Sequence, residues 1–353
     1  FAFIAPMIAG FAIGGKSSIF SALMVVGLVY VAIALIIKVT GNHWINKLLP
    51  PVIVGPMIMV IGLCLAPTAI QEIGLDQAVV PINNLIVALV AFFTTAVIAI
   101  RGRGMLKVIP FLIGIIVSYI VAACLGMVDF SGFFAASIFE VPEFYMPFVN
   151  YSFNPAALLT IVPIALVTMV EHVGDHKVLG EIIGRDLISD PGLNKTLFGD
   201  GLATFFAAFI GGPANTTYGE NTSVVGLTRV ASIYVIGLTA VFAILFAFSG
   251  HLTALLAAMP NPVIGGVAIL LYGFIAVNGV KLLIQEEVDF NNNKNIVVAA
   301  TMLVLGLGGA TLSLVHGDIS ISISGMALAA IIGVILNLII PERKEDNEFT
   351  EVH

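Results

Sequence analysis

Eleven apolar runs follow one another along this chain, at about 19–39, 52–67, 82–100, 108–125, 156–174, 197–211, 220–231, 232–250, 262–279, 296–311 and 322–340. Few surroundings tolerate so much apolar surface. Only 10% of the 353 residues are charged and 59% are hydrophobic, whereas a soluble domain carries roughly a quarter charged residues. Mean hydropathy is +1.10. The expected fold is therefore an all-α polytopic membrane protein. A straight span needs about 20 residues, so several runs are short. The net charge of −7 carries little information, because acids cluster in loops and in the tail Glu342–Glu351. No basic patch supports nucleic-acid binding. Cys64 and Cys124 lie in apolar runs and read as buried free thiols. The chain opens on Phe1 within apolar sequence, which reads as an N-terminally truncated span.

Basic residues mark alternate connections. Lys38 and Lys47 share one, Arg101, Arg103 and Lys107 another, then Lys177, Arg185 and Lys195, then Arg229, then Lys281 and Lys294, and finally Arg343 and Lys344. The connections between them lack Lys and Arg, with Lys16 the exception. This positive-inside pattern predicts a plasma-membrane protein with a cytoplasmic C-terminus, and it requires 220–231 to count as a crossing.

A weak internal repeat adds symmetry. Pro51-Val-Ile-Val-Gly55 and Pro262-Val-Ile-Gly-Gly266 open two runs, and Gly62 and Gly273 keep the same offset. The first copy follows a Lys-bearing connection and the second a Lys-free one, so the copies enter from opposite sides. Inverted repeats are a transporter signature, with the site near the midplane on discontinuous helices.

Pro213-Ala-Asn-Thr-Thr-Tyr-Gly-Glu-Asn221 is polar, rich in strand formers and flanked by apolar runs. Non-helical backbone at bilayer depth survives only where protein covers it or where it lines a cavity. We expect one extended segment in a broken helix here, and a first-copy partner at the stub 1–6. Ionisable residues at such depth are functional candidates. Glu220 closes the polar break, and Glu171 follows the run 156–170. Glu171-His-Val-Gly-Asp-His176 holds four ionisable residues within roughly 140° of a helical wheel. Glu171 and Asp175 share one face, and His172 and His176 the adjacent one. The i, i+4 histidines invite a metal reading, but the zinc-protease pattern places its Glu inside the pair. No metal site and no cofactor are assigned, and no ATP-binding loop is present.

Glu171-His-Val-Gly, Asn215-Thr-Thr-Tyr-Gly-Glu-Asn221 and the continuation to Thr228-Arg229 together resemble the nucleobase/ascorbate transporter family, in its uracil permease branch. The resemblance covers nearly the whole chain, with the first two spans and most of the third absent. It implies fourteen spans in the full family, as two inverted seven-span repeats, with about eleven and a stub here. It also implies a core domain (1–40 and 156–250), a gate domain (41–125 and 251–340), an extracellular connection (126–155) and a cytoplasmic tail (341–353). Uracil would sit between Glu171 and Glu220, with the main-chain amides of Phe1 and Gly219 on its carbonyls and Tyr218 lining the pocket. Glu171, Glu220, Asp175 and His176 would couple protons. The assembly leaves room for a homodimer. Two positions depart from the family pattern: Ser223 stands where Gly is usual, and Asp175 where the uracil branch can place a His.

The chemistry fits independently. Uracil presents N–H donors beside carbonyl acceptors, so it needs carboxylate acceptors and free backbone N–H donors interleaved. A carboxyl withdrawn from water disfavours its charge and can take up a proton near neutral pH. The expected function is proton-coupled uracil import rather than enzymatic. The alternatives are a purine or xanthine carrier on the same fold, and an intramembrane metal-dependent hydrolase using Glu171, His172 and His176.

Overall fold

The computed structural model describes residues 3–145, 152–316, 319–323 and 325–341; within its helices and strands, the side chains of residues 5, 9, 46, 220, 223, 227 and 313–322 lie outside the description. The first half comprises α1 (Ile4–Thr40), α2 (His43–Leu48), α3 (Pro51–Leu63), α4 (Ala66–Ile73), α5 (Ile82–Arg101), α6 (Met105–Val108), α7 (Pro110–Cys124) and α8 (Ser131–Ala135). The second comprises α9 (Pro155–Ile161), α10 (Ile164–Ile183), α11 (Leu193–Phe209), α12 (Gly219–Thr228), α13 (Ile233–Ala247), α14 (Gly250–Ala257), α15 (Asn261–Gln285), α16 (Asn293–Leu307) and α17 (Gly325–Ile339).

Among the described residues, five stretches are long and apolar enough to cross a bilayer: Gly10–Thr40, Pro51–Ile73, Ile82–Arg101, Pro155–Ile183 and Asn261–Gln285. The pair α13 and α14, bent by 82°, makes a sixth if taken as one span. Helices α7, α16 and α17 are apolar but shorter. The expected all-α polytopic membrane architecture is therefore present. Its large exposed apolar residues, such as Leu28, Phe93, Ile120 and Tyr234, cover a surface that suits lipid. One of them is next to a thiol: Cys124 is exposed rather than buried, because its face of α7 points outward.

Helix–helix contact in lipid depends on close backbone approach at small residues. A Cβ on Gly27 of α1 would stand 2.6 Å from the Gly201 carbonyl of α11, and one on Gly201 would stand 2.6 Å from Tyr30 Cβ. Similarly, Gly55 of α3 faces Gly279 of α15, while Gly62 faces the Tyr272 carbonyl. Rising number on one helix meets falling number on the other, so both pairs pack antiparallel. Helices α3 and α15 are the two copies of the Pro-Val-Ile repeat. Each opens on a proline at its first turn, where the missing N–H costs nothing. Their antiparallel contact is what an inverted repeat requires.

Two further features complete the frame. Helix α1 is broken at Gly15 (φ 69°, ψ −171°), a conformation that favours glycine. Helix α12 stops at Arg229, which is left-handed (φ 56°). The connection around His316, one of those without Lys or Arg, forms an antiparallel hairpin of β1 (Leu312–His316) and β2 (Ile319–Ile323), with Leu312 opposite Ile323. The run Ile-Ser-Ile-Ser-Ile carries the period-2 alternation of a strand, a signal that was available in the sequence.

Candidate functional site

The polar stretch 213–218 is neither helix nor paired strand, and α12 starts at Gly219 after Tyr218 in β conformation (φ −118°, ψ 98°). A ten-residue helix is only about 15 Å long. Six residues reach at most about 20 Å when extended, so the non-helical segment and the half-helix together are long enough to cross. Two hydrogen bonds strap the segment down. Thr204 of α11 donates to the Asn215 carbonyl (3.2 Å). Thr217 Oγ1 meets His172 Nδ1 of α10 (2.6 Å). Residues 213–218 are thus covered by protein on the side facing α10 and α11, as non-helical backbone at this depth demands.

Helix α10 brings the four ionisable residues 171–176 to this segment. The imidazoles of His172 and His176 stack with ring centroids 4.0 Å apart, so they share a face. Asp175 meets the N-terminus of α12. A Cβ on Gly219 would stand 2.8 Å from Asp175 Oδ1 and 3.2 Å from Oδ2. Only glycine admits a carboxylate this close, and the positive end of a helix dipole favours one there. The structure therefore joins Asp175 to Gly219. Tyr218 is 42% exposed and lines, with Asn221, a cleft of about 610 Å³ that extends to Asn278, Lys281 and Lys107. That size lies in the usual ligand range of about 300–1,000 Å³. Glu171 is half-buried on α10. The side chain of Glu220, and Phe1 entirely, lie outside the described residues.

His172 is 2% exposed, and its partners went unnoticed in the sequence. Thr196 donates its hydroxyl to the Leu193 carbonyl (3.2 Å), so its oxygen accepts from His172 Nε2 (2.9 Å). That leaves Nδ1 as the variable nitrogen. Neutral, it accepts from Thr217. Protonated, it faces Asp200 Oδ2 at 3.4 Å. With both nitrogens engaged by threonines, His172 is not arranged as a metal ligand. Asp200 sits four residues into a run that scans as apolar, and an acid in a span was itself the missed signal. Tyr30 of α1, 1% exposed, donates to Thr168 Oγ1 (2.5 Å) one helical turn before Glu171 and His172.

His176 Nδ1 bonds the His172 carbonyl (2.8 Å). A carbonyl only accepts, so Nδ1 carries the proton and the neutral ring keeps Nε2 as its acceptor. His176 also lines a polar vestibule of about 370 Å³ with Lys177, Arg185, Asp186 and Glu286. Lys177 of α10 pairs there with Glu286, just past α15 (3.4 Å). In the loop beyond α10, the hydroxyl of Ser189 and the amides of Ile188 and Ser189 hold the Asp186 carboxyl below its ordinary range.

The family model described as Permease family matches residues 1–315. Over 356 residues the chain is 47% identical to a uracil permease of Bacillus caldolyticus, covering 99% of this chain and 82% of that protein. It is 45% identical to the uracil permease of Bacillus subtilis (strain 168), with 99% and 82% covered. The uracil permease of Escherichia coli (strain K12) is 37% identical, with 96% and 78% covered. Among solved structures, the transmembrane domain of the cyanobacterial bicarbonate transporter BicA matches with a TM-score of 0.53 at 15% identity, covering 96% of this chain and 80% of that one. That likeness is one of fold.

Proposed function

We propose, from the premise that this chain belongs to the permease family, that it imports uracil across the plasma membrane by proton symport. It is a carrier and not an enzyme. The observation that carries the reading is the meeting of an acid-bearing helix with a broken span: Asp175 against Gly219, one turn from Glu171. Such a junction offers carboxylate acceptors and unpaired helix N-terminal N–H donors side by side, the interleaved pattern that uracil's edge needs. Glu171, Glu220, Tyr218 and the amides of Phe1 and Gly219 are assigned to the substrate.

The division into core and gate is supported by packing. Helices α1, α9 and α11 pack together, as do α3, α4, α5, α7, α15, α16 and α17, and α10 bridges them, meeting α1, α9, α11 and α12 on one side and α3 and α17 on the other. The cleft holding Tyr218 and Asn221 lies between the start of α12 and the second group, at α6, α7 and α15. It runs toward Lys107 and Lys281, which the charge pattern puts on the cytoplasmic side along with the C-terminus. Protons are assigned to Glu171, Glu220, Asp175 and His176, beside which His172 Nδ1 lies 3.4 Å from the Asp200 carboxylate. The test is uptake of labelled uracil by proteoliposomes under an imposed pH gradient. Accumulation that collapses with the gradient, alongside exchange that persists without it, is the expected result. Accumulation indifferent to the gradient would remove the proton, and accumulation of xanthine in place of uracil would remove the substrate.

A further inference from the structure

A second cavity, of about 220 Å³, lies on the far side of α10 from the acid cluster. Its floor is fully buried: Met169, Val170 and Val173 of α10, Leu197 of α11 and Ala330 of α17. Its mouth is at Leu166 and Ile335, which are 45% and 41% exposed. The remaining wall includes Trp44, Leu48 and Leu49, in and just after the short helix α2. Among the described residues, no lining side chain carries a charge. An engineered apolar cavity of about 150 Å³ stays dry and takes up benzene. This larger one has nothing to hold water and nothing to bind a nucleobase. Left empty, its lining would lose dispersion contacts on one side. Its mouth is framed by exposed apolar side chains, a surface that suits hydrocarbon.

The rim is basic. Lys47 lies on α2 one turn after Trp44, and Lys38 lies in the last turn of α1; both are exposed. No Asp or Glu occurs in residues 1–71. Asn42 ties this corner to the loop after α10 by donating to the Ile188 carbonyl (3.3 Å). That loop's acids are already engaged, Asp186 by Ser189 (2.6 Å) and Asp190 by Arg185 (2.8 Å). We propose that the cavity is a lipid site: it takes one acyl chain of an anionic phospholipid, whose phosphate rests on Lys47 and Lys38. A basic residue near an anionic leaflet attracts its headgroups, and the apolar pocket supplies the rest. The occupant would brace α10 from behind, at Val170 and Val173, on either side of Glu171 and His172.

Trp44 is the single tryptophan of the sequence and lines the cavity, so its fluorescence reports occupancy. The full chain is reconstituted in phosphatidylcholine bilayers with small added fractions of phosphatidylglycerol brominated on its acyl chains. The comparison series uses equally brominated phosphatidylcholine. We expect half-quenching at a several-fold lower mole fraction of the anionic lipid. Val334→Phe, which fills the cavity from a half-buried position, should bring both curves to the bulk-lipid line. Lys47→Gln should shrink the headgroup preference several-fold. Ile331→Phe serves if the first variant loses helicity by circular dichroism. Identical curves for the two lipids in the unaltered protein, or quenching by the anionic lipid untouched in a folded cavity-filling variant, would overturn the site.

Discussion

Gly219→Ala is the smallest change that tests the junction at the heart of the proposed site. The new methyl would stand 2.8 Å from Asp175 Oδ1, and ordinary van der Waals contact begins at 3.4 Å, so something must move by about 0.6 Å. Two effects compete. Alanine in place of glycine in a helix favours folding by up to about 1 kcal/mol, and less at the first helical position. Overpacking a fitted contact costs about 1–3 kcal/mol. The first acts on the helix as a whole, whereas the second acts on the N–H and carboxylate proposed to hold the substrate. We therefore expect uracil affinity to fall about tenfold, equivalent to about 1.4 kcal/mol, with thermal stability little changed. Asp175→Ala vacates the space, so adding Gly219→Ala to it should cost almost nothing further. The assay is calorimetric titration of uracil into the purified protein through the full double-mutant cycle. A coupling of about 0.5–3 kcal/mol is what residues in contact show. If Gly219→Ala binds uracil as the unaltered chain does, or if its penalty survives in the Asp175→Ala background, then the Asp175–Gly219 contact does not shape the site.

Glu220→Gln keeps the shape of the side chain but removes a charge and an acceptor, and uracil binding should weaken by about 1–3 kcal/mol, measured by the same titration. Asp200→Asn removes the anion that balances a protonated His172 while leaving the substrate residues in place; gradient-driven accumulation should fall sharply while uracil exchange persists, and equal loss of both would make Asp200 structural. For orientation, Arg103→Cys and Ser189→Cys are made singly in a background lacking Cys64 and Cys124. Both positions are exposed, and an impermeant thiol reagent should reach them only after the membrane is opened. Gly102 is unsuitable, since a Cβ there would stand 2.3 Å from the Ile98 carbonyl.

Much of this molecule was legible in its residues because lipid is a demanding solvent. Backbone groups without water must bond within their own segment, so an apolar run such as Ile82–Ile100 can only be a helix there. For the same reason, the polar stretch from Pro213 had to hold a break, although the structure ends it at Tyr218 and returns Gly219–Asn221 to helix. The i, i+4 spacing put His172 on His176, and the Pro-Val-Ile repeat marked two helices that do pack antiparallel. Properties of this kind belong to a single segment and need no partner. Which faces meet is a property of pairs of segments, and it lay outside the sequence. Asp200 looked like an incidental acid in an apolar run. It faces His172 only because α11 lies antiparallel along α1, at a distance set by Gly27 and Gly201. Gly219 looked like a helix start, and Asp175 like a helix end in solvent. The tertiary structure set one against the other, because a missing Cβ on one helix leaves room for a carboxylate from another.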